Sequence, residues 1–228
     1  FRQTSPLYVE RPVGEGIAVE FAPRPIMATV GLRLAPAPEG SGVRFQLDVP
    51  FGALPAGFFK AVEAGVREAL LQGLSGWPVT DCLVAMTHVL RYRDFPASTP
   101  ADHRNLARLV VMAALRQAGA VVCEPMERFH LDCPIRALEP VLSLLGVLRA
   151  APEPPTLRGE EAVVEGEIQA VRSSELLRRL PALTHGEGAL ERALSRHRAL
   201  RPPYPTRARL GPNPLNRREY LASVPRSR

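Results

Sequence analysis

Clusters of proline and glycine divide this chain of 228 residues into short segments, and 24 of its residues are prolines. Proline lacks a backbone N–H and fixes φ, so a regular helix or sheet ladder does not continue through such a cluster. The main clusters are 36–42 (PAPEGSG), 76–78 (GWP), 152–155 (PEPP) and 201–214 (RPPYPTRARLGPNP). Each segment between these clusters must therefore form its own helices and strands.

Two stretches of the first segments alternate apolar with polar or small side chains, which is typical of half-buried strands. They are 26–36 and 43–49, and the prolines and glycines of 37–42 predict a turn between them that projects as a mobile loop. Apolar residues at three- and four-residue steps then predict a helix over 58–74, which the GWP cluster ends.

A long strand and a capped helix are predicted next. Residues 79–92 favour a strand, and 93–98 form a second loop. The helix begins at Thr99, whose hydroxyl can cap it, with Pro100 in the first turn and Asp102 near the positive end of the helix dipole.

Gly119 ends this helix, and we predict a domain boundary there. Residues 1–119 are expected to form one α+β domain and 120–201 a second, in the order βαββαβ of a ferredoxin-like sandwich. The predicted elements of the second domain are strands at 126–133, 162–171 and 188–198 and helices at 136–149 and 173–182, the latter capped by Ser173. Residues 202–228 are predicted to be a basic, proline-rich tail with a short helix at 214–224, capped by Asn213.

The residue types that carry enzyme chemistry do not form a recognisable site. The sequence has no GxxxxGK[ST] phosphate loop and no GxSxG elbow, and its five histidines are scattered. The cysteines, Cys82, Cys123 and Cys133, are odd in number and far apart, so we expect reduced, buried thiols. His130 precedes Cys133 by three residues, but a zinc site needs about four ligands, so no metal is predicted. We expect no enzyme activity in this chain itself.

Targeting signals are not evident either. There is no run of about 20 apolar residues that could span a bilayer and no basic-then-apolar signal peptide at the N-terminus, so we expect a cytoplasmic protein without a membrane partner. The chain starts at Phe1, and we expect it to be a fragment of a longer protein.

Positive charge is concentrated at the C-terminal end. From Arg192 onward there are ten arginines and one acid, Glu219, for a net charge of +9, which leaves −3 on the rest of a chain whose total is +6. A polyanion such as RNA is the partner that such a segment fits, because neutralised phosphates release counterions. A merely solvated charged tail has the same composition.

The two predicted loops are the candidate contact sites. In the loop at 93–98 and its flank, the aromatic rings can stack on bases, an arginine can contact phosphate and a proline holds the shape; the candidates are Tyr92, Arg93, Asp94, Phe95, Pro96 and Ala97. An ordinary connection with one aromatic anchored in the core is the alternative. The second candidate loop consists of Pro38, Glu39, Gly40, Ser41 and Gly42.

Several motifs in a fixed order resemble the last two domains of elongation factor G-like translational GTPases. They are SPLYVERP (5–12), PAPEGSG (36–42), GWPVTD (76–81), STPADHRNLA (98–107), CEPMERFHLDCP (123–134) and THGEGAL (184–190). The resemblance implies a ribosomal protein S5 domain 2-like βα domain, then a ferredoxin-like domain and a C-terminal helix. Residues 41–43, GWPVTDC and STPAD are most similar to the tetracycline-resistance ribosomal protection proteins of this family.

The resemblance also implies a function. Such proteins bind the ribosome with GTP and displace tetracycline, so residues 93–97 would enter the drug-binding region, and Arg217, Arg218 and Tyr220 of the terminal helix would lie against ribosomal RNA. The fragment would hold no cofactor, GTP and Mg²⁺ would bind an upstream domain, the partner would be the ribosome, and a monomer is expected.

Two departures limit this transfer of roles. Arg93, Asp94 and Phe95 stand where the family has a more aromatic, serine-bearing stretch, and VLRAAPEPP replaces an arginine-glycine stretch that is typical of elongation factor G. A translocation factor and a stand-alone RNA-binding or regulatory module remain the alternative functions.

Overall fold

A computed structural model describes residues 8–22, 28–50, 52–89 and 98–224. The chain divides into two compact units: unit 1 comprises 1–8 and 123–199, and unit 2 comprises 9–122 and 200–228. The strands are β1 (Val9–Pro12), β2 (Gly16–Ala22), β3 (Ala28–Pro36), β4 (Val43–Leu47), β5 (Cys82–Val89), β6 (Ala120–Pro134), β7 (Ala151–Pro152), β8 (Thr156–Arg158), β9 (Glu161–Gln169) and β10 (Ala189–Ala199). The helices are α1 (Ala56–Ala69), α2 (Pro100–Ala118), α3 (Ile135–Val147), α4 (Ala170–Thr184) and α5 (Arg217–Ser223).

Unit 2 is a four-stranded sheet with two helices on one face. The strand order is β2-β3-β5-β4, with β4 parallel to β5 and the other pairs antiparallel. Helix α1 connects the parallel strands, and α1 and α2 bury the inward side chains of the sheet in a single core. The predicted turn at 37–42 therefore does not join neighbouring strands. It passes over the start of β5, which lies between β3 and β4.

Unit 1 has the ferredoxin-like arrangement that the order of elements predicts, so this part of the predicted fold is confirmed. Strand β6 pairs with β10 and β9, and β7 and β8 pair with β9, all antiparallel. The second strand of the motif is split into β7 and β8 because Pro154 and Pro155 between them cannot donate to the ladder. Alternate β6 residues, including Phe129, Leu131 and Cys133, join α3 and α4 in the core.

Some local predictions are confirmed and others are wrong. Thr99 caps α2 in a reciprocal capping box with Asp102. Ser173 does not cap α4, which begins at Ala170, and its hydroxyl donates to the Ala170 carbonyl at 3.0 Å within the first turn. The cap of α5 is Asn216 rather than Asn213, because Asn216 lies next to the first helical residue and accepts from the Glu219 N–H.

A buried carboxylate organises the loop between α1 and β5. Glu10, which is fully buried, accepts from the N–H groups of Ser75 (2.8 Å) and Trp77 (3.0 Å) through one oxygen and of Leu74 (2.7 Å) through the other. Burial raises the pKa of Glu10 most strongly, whereas the three N–H groups lower it. A buried acid is tolerated here because each oxygen has donors.

The C-terminal segment of unit 2 lies along this loop, and we call residues 205–210 the strap. The Arg207 N–H donates to the Ser75 carbonyl at 2.8 Å, and the Trp77 indole N–H donates to the Pro205 carbonyl at 2.7 Å. The Gln72 side chain both donates to and accepts from the backbone of Leu210. The strap therefore continues the hydrogen-bonding network that Glu10 starts.

Replacing Glu10 by alanine is expected to destabilise unit 2. Three buried N–H groups would lose their acceptor, and leaving such groups unpaired costs on the order of 3 kcal/mol in total once relaxation is allowed. Urea unfolding followed by the fluorescence of Trp77, which is the single tryptophan, measures the loss. Glu15→Ala is the matched control, because Glu15 is half-exposed and its nearest cation is 3.8 Å away. Equal unfolding free energies for the two variants would contradict this account.

Candidate nucleic-acid interface

The predicted contact residues Tyr92, Arg93, Asp94, Phe95, Pro96 and Ala97 lie outside the described residues. The structure does place the two ends of their segment, since β5 ends at Val89 and α2 is capped by Thr99. We call this end of the unit 2 sheet the Val89 end. The connection between β2 and β3 also starts and finishes there, because Val89 pairs with Val30 near the start of β3.

The C-terminal flank of this segment is rigidly anchored. The Thr99 N–H and hydroxyl donate to the Asp102 carboxylate at 2.8 and 2.7 Å, and the Asp102 N–H donates back to the Thr99 hydroxyl at 3.2 Å. The ring of His103 is buried, donates to the Thr99 carbonyl and packs edge-on against Phe58. Burial lowers the pKa of His103, so a neutral ring completes the anchor.

The second candidate loop, Pro38, Glu39, Gly40, Ser41 and Gly42, lies at the opposite, Cys82 end of the sheet. The Gly42 N–H donates to the Asp81 carboxylate at 3.1 Å, and the Cys82 N–H donates to the Gly42 carbonyl at 3.0 Å. Strand β5 puts about 23 Å between this turn and Val89, at about 3.3 Å per residue. The turn and the segment that follows Val89 are therefore attached at opposite ends of β5, which is set by the strand order and not by the local sequence.

Asp81 fixes the turn at the Cys82 end. It adopts a φ of 54°, is buried, and pairs through its second carboxylate oxygen with Arg11 at 2.7 Å. Arg11 also contacts Glu39 at 2.8 Å. The turn is thus hydrogen-bonded on both sides, and the mobility expected from its glycines stays a prediction.

Helix α5 lies at the Val89 end beside α2. Tyr220 is buried in the unit 2 core and its hydroxyl donates to the Asn105 carbonyl at 3.0 Å. Arg217 pairs with Glu20 of β2 at 2.5 Å, and Arg218 is exposed. The Tyr220 ring is therefore an anchor that is not accessible to RNA in this structure, whereas the two arginines face outward from the anchored helix.

The ten arginines from Arg192 onward are not one continuous basic tail. Those on β10 pair with acids of neighbouring strands in unit 1, as Arg192 with Glu127, Arg196 with Glu167 and Arg198 with Glu124. Unit 1 has 11 arginines and 12 acids, for a net charge of −1, and unit 2 has 18 cations and 11 acids, for +7. The positive charge thus belongs to unit 2, which is the unit that carries the Val89 end.

The histidines and cysteines of the described residues do not come together in a shared metal site. No cluster of three or more His, Cys, Asp or Glu side chains there could hold a metal ion. His130 instead hydrogen bonds to Glu165 at 2.8 Å, which raises its pKa. The three cysteines are buried free thiols, and burial raises the pKa of Cys82 to about 12, which disfavours a reactive thiolate. None of the helices between residues 8 and 224 that the structure describes is long and apolar enough to cross a membrane.

Comparison with known proteins matches both units in chain order. Residues 10–119 match the family model of elongation factor G domain IV, and 121–207 match that of the elongation factor G C-terminus. The chain belongs to the elongation factor G family. A crystal structure of a Thermus thermophilus protein superposes with a TM-score of 0.74 at 26% identity, covering 87% of this chain and 31% of that one.

Curated relatives in this family carry names that refer to drug resistance. An oxytetracycline resistance protein of Streptomyces rimosus is 40% identical over 98% of the chain and 34% of its own length. Tetracycline resistance protein TetP of Clostridium perfringens is 34% identical over 97% of the chain and 34% of its own length. The chain thus spans about a third of the length of these relatives.

Substitutions at Tyr220 test its role as an anchor. Tyr220→Ala is expected to lower the free energy of unfolding by about 3–5 kcal/mol, as for other large buried side chains. Tyr220→Phe keeps the packing and loses one hydrogen bond, which costs about 1 kcal/mol. Urea unfolding of both variants is compared with that of Arg218→Ala, which should stay within about 0.5 kcal/mol of the parent. A Tyr220→Ala variant as stable as Arg218→Ala would show that the ring is not part of the core.

Proposed function

We propose that this chain is the ribosome-binding C-terminal portion of a translational GTPase that displaces tetracycline from the ribosome. The observation that carries the proposal is the 40% identity to an oxytetracycline resistance protein over 98% of the chain. The fold supports it, because helix α5 lies at the Val89 end of unit 2, where the described residues that flank the segment 92–97 also lie. Its partners would be ribosomal RNA and ribosomal proteins, and the protein would act as a cytoplasmic monomer.

The mechanism is binding and displacement by shape. The segment from Tyr92 to Ala97 would enter the drug-binding region of the small subunit, held at one end by β5 and at the other by the capping box of Thr99. Arg217 and Arg218 would contact RNA phosphates beside it, and the net charge of +7 on unit 2 favours that approach. GTP and Mg²⁺ would be held by an upstream domain of the intact protein, so this chain would supply contacts and no hydrolysis.

Tetracycline release from ribosomes by the intact protein with GTP tests the proposal. Replacement of Arg93–Ala97 by glycine and serine should abolish release and leave GTP-dependent ribosome binding in place, because the proposed contacts of Arg217 and Arg218 are unchanged. The matched control replaces Pro38–Ser41 in the same way and keeps Gly42. That turn lies at the Cys82 end, so release should be retained.

Other outcomes would favour other functions. The matches to elongation factor G domain IV and C-terminus are equally expected of a translocation factor, which would support protein synthesis in place of elongation factor G. GTP-dependent ribosome binding without any drug release by the intact protein would contradict ribosomal protection. A reading frame without an upstream phosphate-binding loop would instead indicate a stand-alone RNA-binding module.

A further inference from the structure

The strap places two arginine side chains on the loop at 73–77. Arg207 lies over the Trp77 ring, with its guanidinium carbon 6.0 Å from the ring centroid. The Arg209 guanidinium donates to the Gly73 carbonyl at 2.5 Å. Both cations are therefore held on one short loop, at its two ends.

The backbone of the strap is fixed against this loop. Gly76 has a φ of 87°, and a Cβ atom there would lie 2.1 Å from the Arg207 carbonyl oxygen. A side chain at this position would displace the strap, so the glycine permits the close approach. Because the Arg207 N–H also donates to the Ser75 carbonyl at 2.8 Å, the backbone at Arg207 is ordered before any partner binds, which lowers the entropic cost of binding.

The segments that form this surface carry positive charge without acids. Residues 70–80 have no charged side chain, and residues 200–216 have three arginines and no acid. The carboxylate beneath the loop is that of Glu10, which is fully buried and bonded to loop N–H groups through both oxygens. Arg209 interacts electrostatically with Glu10. Arg207, in contrast, is exposed and forms no ion pair with any residue that the structure describes, so it is the stronger candidate for an anionic partner.

Phosphate is the anion that this arrangement fits best. An arginine presents a planar fork of N–H donors that matches two phosphate oxygens, and it can do so while stacked on an aromatic ring. Unit 2 carries a net charge of +7, which favours a polyanion whose neutralised phosphates release counterions. Leu71 and Leu210 are also exposed nearby, but single apolar side chains are normal on a protein surface. The charge therefore favours RNA over a protein segment.

We propose that the strap is a surface that contacts phosphates of ribosomal RNA, with Arg207 as the principal contact and Arg209 beside it. This contact is separate from those of the segment 92–97 and of α5, and it involves phosphates rather than bases. It rests on the proposed function for the source of the RNA, whereas the arrangement of the two arginines does not depend on that function.

Binding of a labelled RNA duplex of about 16 base pairs to the 228-residue chain tests the contact by fluorescence polarisation. A duplex leaves its phosphates available and its bases paired, so base stacking on the protein contributes little. Affinities are compared between about 50 and 200 mM salt. Arg207→Gln removes one phosphate contact, so the slope of log K against log salt should fall in magnitude by about 1. Arg207→Lys keeps the charge and should retain the parental slope.

The matched control is Arg158→Gln, which removes the same charge from unit 1. Arg158 of β8 is exposed and, within the described part of the chain, has no ion-pair partner, so its slope should equal that of the parent. Far-ultraviolet circular dichroism verifies that each variant is folded, since Arg207 lies over the Trp77 fluorophore.

Three outcomes would overturn the proposal: a parental slope in Arg207→Gln, an equal loss of slope in Arg158→Gln, or no binding of the duplex at about 50 mM salt. The first of these would also indicate that the strap and its exposed leucines serve a protein partner. If the slope changes as expected but the intact protein releases no tetracycline, the proposed function alone is contradicted. If the drug is released and Arg207→Gln keeps the parental slope, the strap contact alone is contradicted.

Discussion

The buried carboxylate of Glu10 is the interaction on which the arrangement of unit 2 depends. It accepts hydrogen bonds from three backbone N–H groups of the loop at 73–77, which holds that loop in one conformation. The ordered loop then offers the Ser75 carbonyl and the Trp77 indole to the strap. Because the strap precedes α5 by only a few residues, the position of α5 depends on a carboxylate from the beginning of the unit.

Helix α5, which follows the strap, extends the ordered part of the C-terminal segment to the Val89 end. Its seven residues are too few to form a stable helix alone, so its conformation relies on tertiary packing. Tyr220 and Val224 bury it in the core, and the Arg217–Glu20 pair ties it to β2. The outcome is a fixed scaffold at the Val89 end, with the capping box of Thr99 beside it.

Some local features were predictable from the sequence, whereas the caps of α4 and α5 and the long-range placement of elements were not. The Thr99 cap and the βαββαβ order depend on residues close together in the chain, and both are confirmed. The position of β4 beside β5 depends on pairing between distant strands, which the turn residues at 37–42 do not encode. The sequence predicts both candidate loops as projecting connections and does not indicate that their described flanks lie at opposite ends of β5. Burial of Tyr220 likewise depends on contacts with distant residues such as Asn105, and nothing in the sequence near Tyr220 signals it.

Amide hydrogen exchange of the intact protein, free and bound to ribosomes with a non-hydrolysable GTP analogue, tests most directly whether the Val89 end faces the ribosome. The account predicts added protection on binding at 98–105 and 217–224, and none at 37–42. Protection at 37–42 with unchanged exchange at 98–105 and 217–224 would contradict it.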